Sequence, residues 1–215
     1  MTHRLFSVPC LVLLAIVLAL PAGRVLADEA AQTATPPRTQ NLSENPHLAV
    51  IGRAPNFALY DTGGKKVRLS EYKGRVVLLA FVFTSCPGVC PLISTQMSLL
   101  QAQLKKENLF AGKACMLSVT VDPDTDTAPV LAAYAKRYGA DPTGWRFLRD
   151  EPRRLQKIMA AYNEWTKPGS KGEIDHPARV YLLDPEQRIR EIYSLSFFDE
   201  RQTYFDIQAL LAEAR

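Results

Sequence analysis

The chain has 215 residues, with 26 basic and 22 acidic side chains and a formal charge of +4 at neutral pH. This weak balance, without a basic run, argues against a nucleic-acid-binding protein. The length suffices for one domain with its own hydrophobic core, so the fold needs no disulfides for stability.

The first residues have the pattern of an export signal. Arg4 precedes an apolar run, Leu5 to Leu20, which is shorter than the ~20 residues of a typical membrane-spanning helix. We therefore predict a signal peptide over residues 1–27, with an uncleaved membrane anchor as the alternative. Either exports the domain, and the chain meets a membrane only through this segment. Cys10 lies within the run, so we expect it to be removed or buried in the membrane.

A polar segment follows the signal. Residues 28–50 are rich in Pro, Thr and Gln, a composition typical of a disordered tether. His47 lies there without other potential ligands nearby, so we expect it to be solvated. The domain is then predicted over residues 51–215. It holds three of the four cysteines, an odd number that does not fit a framework of structural disulfides.

Strand and helix patterns alternate through the domain, which predicts an α/β sandwich with a mixed central sheet. An N-terminal hairpin opens it around Gly63 and Gly64, and a second hairpin precedes the last helix. A loop rich in Gly, Pro and Lys is predicted over residues 166–175. The predicted strands are 57–60, 67–69, 75–83, 114–121, 145–148, 178–183 and 188–193, and predicted helices include 130–138, 152–162 and 199–214.

Another helix is predicted directly after the segment Thr84-Ser85-Cys86-Pro87-Gly88-Val89-Cys90-Pro91. Its predicted inner face is Val89, Leu92, Ile93, Met97, Leu100 and Leu104, and its predicted outer face is Gln96, Gln101, Gln103 and Lys105. Proline fits only the first turn of a helix, so Pro91 places Cys90 near the helix start and Cys86 in the preceding loop. The helix amides there favour thiolate over thiol, the form that attacks disulfides and binds metals.

Three of the remaining candidate residues lie elsewhere in the chain. Cys115 falls within an apolar strand, where cysteine usually behaves as a small hydrophobic residue. His176 stands directly before a strand, and in such a sandwich its loop can meet the dithiol at one sheet edge. Asp175 is predicted either to orient its ring or to remain a plain surface carboxylate.

Two thiolates with an imidazole suit copper, because soft sulfur selects Cu(I) and nitrogen also accommodates Cu(II). Zinc is the competitor, but a structural zinc site normally has four protein ligands and only three are found. A plain disulfide between Cys86 and Cys90 is a further alternative, although so short a loop contributes little stability.

These motifs, together with Val121-Asp122-Pro123, Asp126-Thr127 and Asp175-His176 before Tyr181-Leu182-Leu183-Asp184, resemble the Sco/SenC family of copper-binding proteins. The resemblance covers residues 51–215. It implies a thioredoxin-like three-layer fold and copper held by Cys86, Cys90 and His176. It also implies a location in the periplasm or on the outer face of the cytoplasmic membrane, with a mitochondrial counterpart.

The same resemblance implies delivery of copper to the dinuclear copper centre of a cytochrome c oxidase subunit, or reduction of that client's thiols. Gly88 stands where family members often carry Asp, so we expect copper affinity or client choice to differ. The alternative is an enzyme, a periplasmic thiol–disulfide oxidoreductase that uses Cys86 and Cys90, with a thiol reductant as partner. The spacing of three residues speaks mildly against it, since two is usual.

Overall fold

A computed structural model describes residues 42–169, 174–194 and 198–214. The predicted signal, Cys10 and most of the tether therefore lie outside the described residues. The described end of the tether packs on the domain: Leu48 is buried, and the amide of Ser43 donates to the Gln202 side chain. These contacts join the described end of the predicted tether to the domain, whose start at residue 51 stays a prediction.

An eight-stranded mixed sheet forms the centre of the fold, as the alternating pattern predicts. Its strand order is β1-β10-β9-β4-β5-β6-β2-β3, and a separate two-stranded ladder joins β7 and β8. The strands are β1 Gly52–Arg53, β2 Ala58–Asp61, β3 Lys66–Arg68, β4 Val76–Val82, β5 Ala114–Thr120, β6 Trp145–Arg149, β7 Lys167–Pro168, β8 Ile174–Asp175, β9 Val180–Leu183 and β10 Arg188–Tyr193.

The centre of the sheet is parallel and both hairpins are present. β4, β5 and β6 pair in parallel, while β9 pairs antiparallel with β4 and then with β10. All residues of β4 and β5 are buried, as their continuous apolar sequences predict. The predicted loop 166–175 differs, because its two ends pair as β7 and β8.

In the described ranges, four α-helices accompany the sheet: α1 Val89–Lys106, α2 Ala128–Arg137, α3 Pro152–Ala161 and α4 Glu200–Glu213. The connections β4-α1-β5 and β5-α2-β6 step across the sheet in the same direction between parallel strands, and such crossovers are almost always right-handed, which places α1 and α2 on one face of the sheet. A hydrogen bond between the Ser94 and Tyr134 hydroxyls joins them, and α4 also contacts α1. No helix among the described residues is long and apolar enough to span a membrane.

The inner face of α1 differs from the predicted one at two positions. Leu92 is 50% exposed, whereas Gln101 is buried. The Gln101 side chain donates to the Gly139 carbonyl and accepts from the Asp141 amide, so its polar atoms are satisfied at the end of α2. The predicted faces were therefore wrong for these two residues.

Candidate metal centre

The dithiol turn lies where β4 ends and α1 begins. Cys86 is in the turn after Phe83, and the helix starts at Val89, which places Cys90 within its first turn. The Cys86 amide donates to the Phe83 carbonyl at 3.4 Å, and the Cys90 amide donates to the Cys86 sulfur at 3.4 Å. The geometry expected from Pro91 is thus present: both sulfurs are at a helix N-terminus.

The two thiols have opposite proton affinities. Hydrogen bonds from Cys90 and from the amides of Gly88 and Val89 lower the pKa of Cys86 to about 5, against the desolvation that opposes them. The pKa of Cys90 is raised, because its thiol donates a hydrogen bond to the Cys86 sulfur and the residue is fully buried. At neutral pH the pair therefore holds one thiolate, on Cys86, and one thiol, on Cys90.

The sheet topology brings His176 to the same place. β9 runs antiparallel to β4, with Val180 opposite Ala80, so the segment before β9 lies at the edge where β4 ends. There the His176 Nε2 is 3.7 Å from the Cys90 sulfur. Burial lowers the pKa of His176, with the negative charge of Asp175 opposing this, so the imidazole is neutral at pH 7.

Two contacts fix the orientation of the imidazole. The ring of Phe83 packs edge-on against it, with the ring centroids 5.6 Å apart. The Ala178 amide donates to Nδ1 at 3.2 Å, and Ala178 has a left-handed backbone conformation with φ of 49°. An amide can only donate, so Nδ1 accepts and the ring proton lies on Nε2, facing Cys90. Within the described chain, the partner of Nδ1 is thus Ala178 and not Asp175.

A buried carboxylate, Asp126, lies behind the dithiol. It accepts hydrogen bonds from the Thr84 amide at 3.2 Å, from the Thr84 hydroxyl at 2.5 Å and from the Thr120 hydroxyl at 2.5 Å. It therefore ties the start of the dithiol turn to the end of β5. Burial raises its pKa, and its charge adds to the effects that raise the pKa of Cys90.

From the sequence, Asp126 is identified only as part of a motif of the Sco/SenC resemblance. Its function as an anchor was missed, as were the packing of Phe83 and the donation by Ala178. An acidic residue between two polar ones is typical of a helix cap, so no local pattern distinguishes this buried carboxylate. A signal does exist in Thr120, a hydroxyl at the end of a strand that is otherwise nearly all apolar.

The donor set fits a soft metal ion. Bonds of about 2.3 Å to sulfur and about 2.0 Å to nitrogen, at a trigonal angle, hold the two ligand atoms about 3.8 Å apart. The observed separation of Cys90 Sγ and His176 Nε2 is 3.7 Å. Yet no group of three His, Cys, Asp or Glu side chains in the described ranges is already arranged to hold a metal. For Cys86 to join these two ligand atoms, its sulfur would have to turn away from the Cys90 amide.

The other candidates lie away from this centre. Cys115 is buried in β5, where its thiol donates to the Ala111 carbonyl at 3.3 Å and accepts from Arg75 at 3.5 Å. Burial raises its pKa. His47 is exposed, as expected of a solvated residue. Cys115 therefore packs in the core, as predicted.

The sequence profile described as SCO1/SenC matches residues 50–212. The chain belongs to the SCO1/SenC family. Among SCO1/SenC relatives, the SCO1 protein homolog of Bacillus subtilis is 30% identical, over 64% of this chain and 72% of that protein. The mitochondrial SCO2 homolog of Bos taurus is 29% identical over 73% of this chain, and the match covers 59% of that protein. The chain thus spans less than two thirds of this mitochondrial relative.

Solved SCO1/SenC structures are similar along most of the chain. A SCO1/SenC family lipoprotein from Bacillus anthracis is 25% identical, with a TM-score of 0.67 over 74% of this chain and 95% of that one. ScoI of Bradyrhizobium japonicum, solved with copper bound, is 28% identical, with a TM-score of 0.63 over 74% of this chain and 99% of that one. BsSco, described as a member of the Sco family of cytochrome c oxidase assembly proteins, has a TM-score of 0.66 at 23% identity, over 77% and 98%. The predicted family and the thioredoxin-like α/β fold are confirmed.

Proposed function

We propose that this protein is an exported copper chaperone, in which Cys86, Cys90 and His176 bind one copper ion. Its client is the subunit of cytochrome c oxidase that holds the dinuclear copper centre, or another copper protein. One observation carries the proposal: the Cys90 sulfur and the His176 Nε2 lie 3.7 Å apart, the separation that a shared metal ion requires. The copper-bound structure of a family member supports the choice of metal.

Protonation states set the order of binding. Cys86 is the first ligand, because it is a thiolate at neutral pH and is the more exposed of the two sulfurs. Cys90 must then lose its proton, so binding of one Cu(I) releases one proton at pH 7. The ion withdraws electron density from the ligand thiols and so favours this loss.

His176 must change its tautomer to join the site. Coordination through Nε2 moves the ring proton to Nδ1, which then faces the amide hydrogen of Ala178. Two donors cannot share this contact, so residues 177–178 shift when the metal binds. Release to a client reverses the sequence, and we infer that Cys86 exchanges first because its sulfur is the accessible one.

Copper titration tests the proposal. The reduced protein is titrated with Cu(I) against a chromophoric chelator, together with Cys86→Ser, Cys90→Ser and His176→Ala. We expect one ion per wild-type chain. Each substitution should raise the Kd by more than about 100-fold, beyond the range typical of a residue that only supports a ligand.

Cys115→Ser is the matched control, a thiol-to-hydroxyl change at the opposite end of the sheet, and should leave the Kd unchanged. A wild-type chain that binds no copper contradicts the proposal. An unchanged Kd and spectrum in His176→Ala contradicts the role of the third ligand.

A second function is favoured by the low pKa of Cys86 beside a neutral Cys90. Such a pair can reduce a client disulfide. The Cys86 thiolate attacks one client sulfur, which forms a mixed disulfide and releases the first client thiol. Cys90 then attacks Cys86, which forms the Cys86–Cys90 disulfide and releases the second client thiol. A thiol reductant must then restore the pair. The reduction potential of the dithiol and the turnover with a disulfide client test whether the protein is such an oxidoreductase. A very reducing pair without turnover excludes the enzyme.

A further inference from the structure

The dithiol turn and most of α1 form one uncharged stretch of the chain, with the exposed Asp175 beside His176 as a charge that another element brings to the site. No acidic or basic residue occurs between Arg75 and Lys105, so the turn and the helix as far as Leu104 carry no charged side chain. The other three helices differ, since each exposes charged residues such as Arg137, Arg153 and Arg201. Depletion of charge is the compositional mark of an interface core.

Two leucines extend this surface away from the sulfurs. Leu92 and Leu99 are 50% and 51% exposed. They are seven residues apart, so they lie on the same face of α1, about 10 Å apart along the helix axis. Single exposed leucines are common on protein surfaces. Two exposed leucines on one face of the helix that begins at the Cys86 turn, without a charged residue between them, are less common and need an explanation.

The turn connects these leucines to the site. Pro87 and Gly88 are exposed, and Val89 is half-buried at the start of the helix. Side chains on a helix lean toward its N-terminus, so Leu92 covers the surface next to Gly88 and Val89. These five residues, with the uncharged Thr95 and Gln96 between the two leucines, are here named the α1 surface.

We propose that the α1 surface is the docking site for the copper client, a protein domain whose copper ligands are surrounded by an apolar, uncharged rim. This rests on the proposed function, because handover requires client ligands to reach the Cys86 sulfur and hence to cover the turn. A standard interface buries about 800 Å² on each partner, which corresponds to a patch about 30 Å wide. Leu99, about 16 Å along the helix from Gly88, lies within such a patch.

The absence of charge selects the client. A charged rim loses its hydration against this surface without gaining an ion pair, which disfavours it. An apolar rim gains from burial of both leucines. The surface thus favours clients with uncharged residues beside their copper ligands.

The test introduces charge without changing the helix. Leu92→Lys, Leu99→Lys and the double variant alter exposed positions, and lysine has nearly the helix propensity of leucine. Val130→Lys on α2, a position that is 39% exposed, is the matched control. The probe is the soluble domain of the dinuclear copper subunit of cytochrome c oxidase, with its copper-binding cysteines reduced.

The measured quantity is the second-order rate of Cu(I) transfer, followed by stopped flow. The double variant should lower it at least about tenfold while the Cu(I) Kd of the isolated chain is unchanged. Val130→Lys should leave both unchanged. An unimpaired double variant that still binds copper overturns the docking proposal and leaves the proposed function intact.

A copper-independent arm separates the two hypotheses. The client cysteine is converted to a mixed disulfide with thionitrobenzoate, and the Cys86 thiolate of a Cys90→Ser variant attacks it. The interprotein disulfide forms and thionitrobenzoate leaves, which is read by its absorbance. Added lysines at 92 and 99 should slow this step at least about tenfold even if copper binding itself fails.

Two other occupants are excluded by the same variants. If Leu92→Lys with Leu99→Lys turns a dimer into a monomer in sedimentation, without slowing either reaction, the surface pairs two copies and the proposal is wrong. Loss of binding to phosphatidylcholine–phosphatidylglycerol vesicles, again with unchanged rates, identifies a membrane contact and also overturns it.

Discussion

The two ends of the central sheet each hold a buried cysteine, and the two thiols have opposite properties. Cys86 lies beyond the end of β4 and has a pKa of about 5, whereas Cys115 lies at the start of β5 and has a raised pKa. Both are buried. Burial therefore does not decide their reactivity.

The difference lies in the donors that surround each sulfur. At Cys86 the amides of a helix N-terminus and the Cys90 thiol stabilise the thiolate. At Cys115 desolvation is the largest effect, and the guanidinium of Arg75 opposes it only in part. The preorganised amides at the Cys86 end of the sheet thus stabilise a thiolate more than the single guanidinium does at the Cys115 end.

The largest expected effect is the difference in alkylation rate between the two thiols. At pH 6 Cys86 is mostly thiolate, while Cys115 is almost entirely protonated. Iodoacetamide should modify Cys86 at least about 1,000-fold faster than Cys115, as read by mass spectrometry of each peptide. In urea the rates should become equal. Similar alkylation rates of Cys86 and Cys115 in the folded protein would contradict the difference in pKa between the two ends of the sheet.

The next effect concerns the anchor of the dithiol turn. Asp126→Ala removes the acceptor of three hydrogen bonds and leaves buried hydroxyls unpaired, so it should cost about 3 kcal/mol of unfolding free energy. Asp126→Asn keeps one acceptor oxygen and should cost about 1 kcal/mol. Urea unfolding measures both. Equal losses would show that the acceptor oxygen kept by asparagine contributes nothing, which contradicts the hydrogen-bonding role assigned to Asp126.

The sequence predicts the sheet centre well, because continuous apolar segments such as β4 and β5 have few alternatives to a buried strand. It also predicts the dithiol at a helix start, since Pro91 restricts where α1 begins. Gln101 and Leu92 were assigned to the wrong faces because helical periodicity does not reveal which polar partners a neighbouring helix supplies. Asp126 bonds to Thr84 across the fold, so its own sequence neighbours do not report this contact. The donation from Ala178 to His176 is local but depends on the left-handed backbone of Ala178, which the residue type does not indicate.

A moderate effect is the pH dependence of copper affinity. At pH 7 to 8 Cys86 is ionised, His176 is neutral because burial lowers its pKa, and Cys90 is protonated because its pKa is raised. Binding therefore releases one proton, and the Cu(I) Kd should fall about tenfold for each unit that pH rises. Below about pH 5 Cys86 also protonates, so the dependence becomes steeper. Competition titrations across this range measure the slope, and a flat profile contradicts the assigned protonation states.

The smallest effect is a change in amide chemical shifts, which distinguishes the two ends of the sheet without any mutation. If copper displaces the proton from His176 Nε2, the contact between Nδ1 and the Ala178 amide must break. The amide resonance of Ala178 should then shift on Cu(I) binding, together with the imidazole nitrogens. The amide resonances of Ala111 and Cys115, at the other end of the sheet, should not shift. Nitrogen–proton correlation spectra of both forms test this; an unshifted Ala178 would mean that His176 does not bind the metal, since coordination through either ring nitrogen breaks this contact.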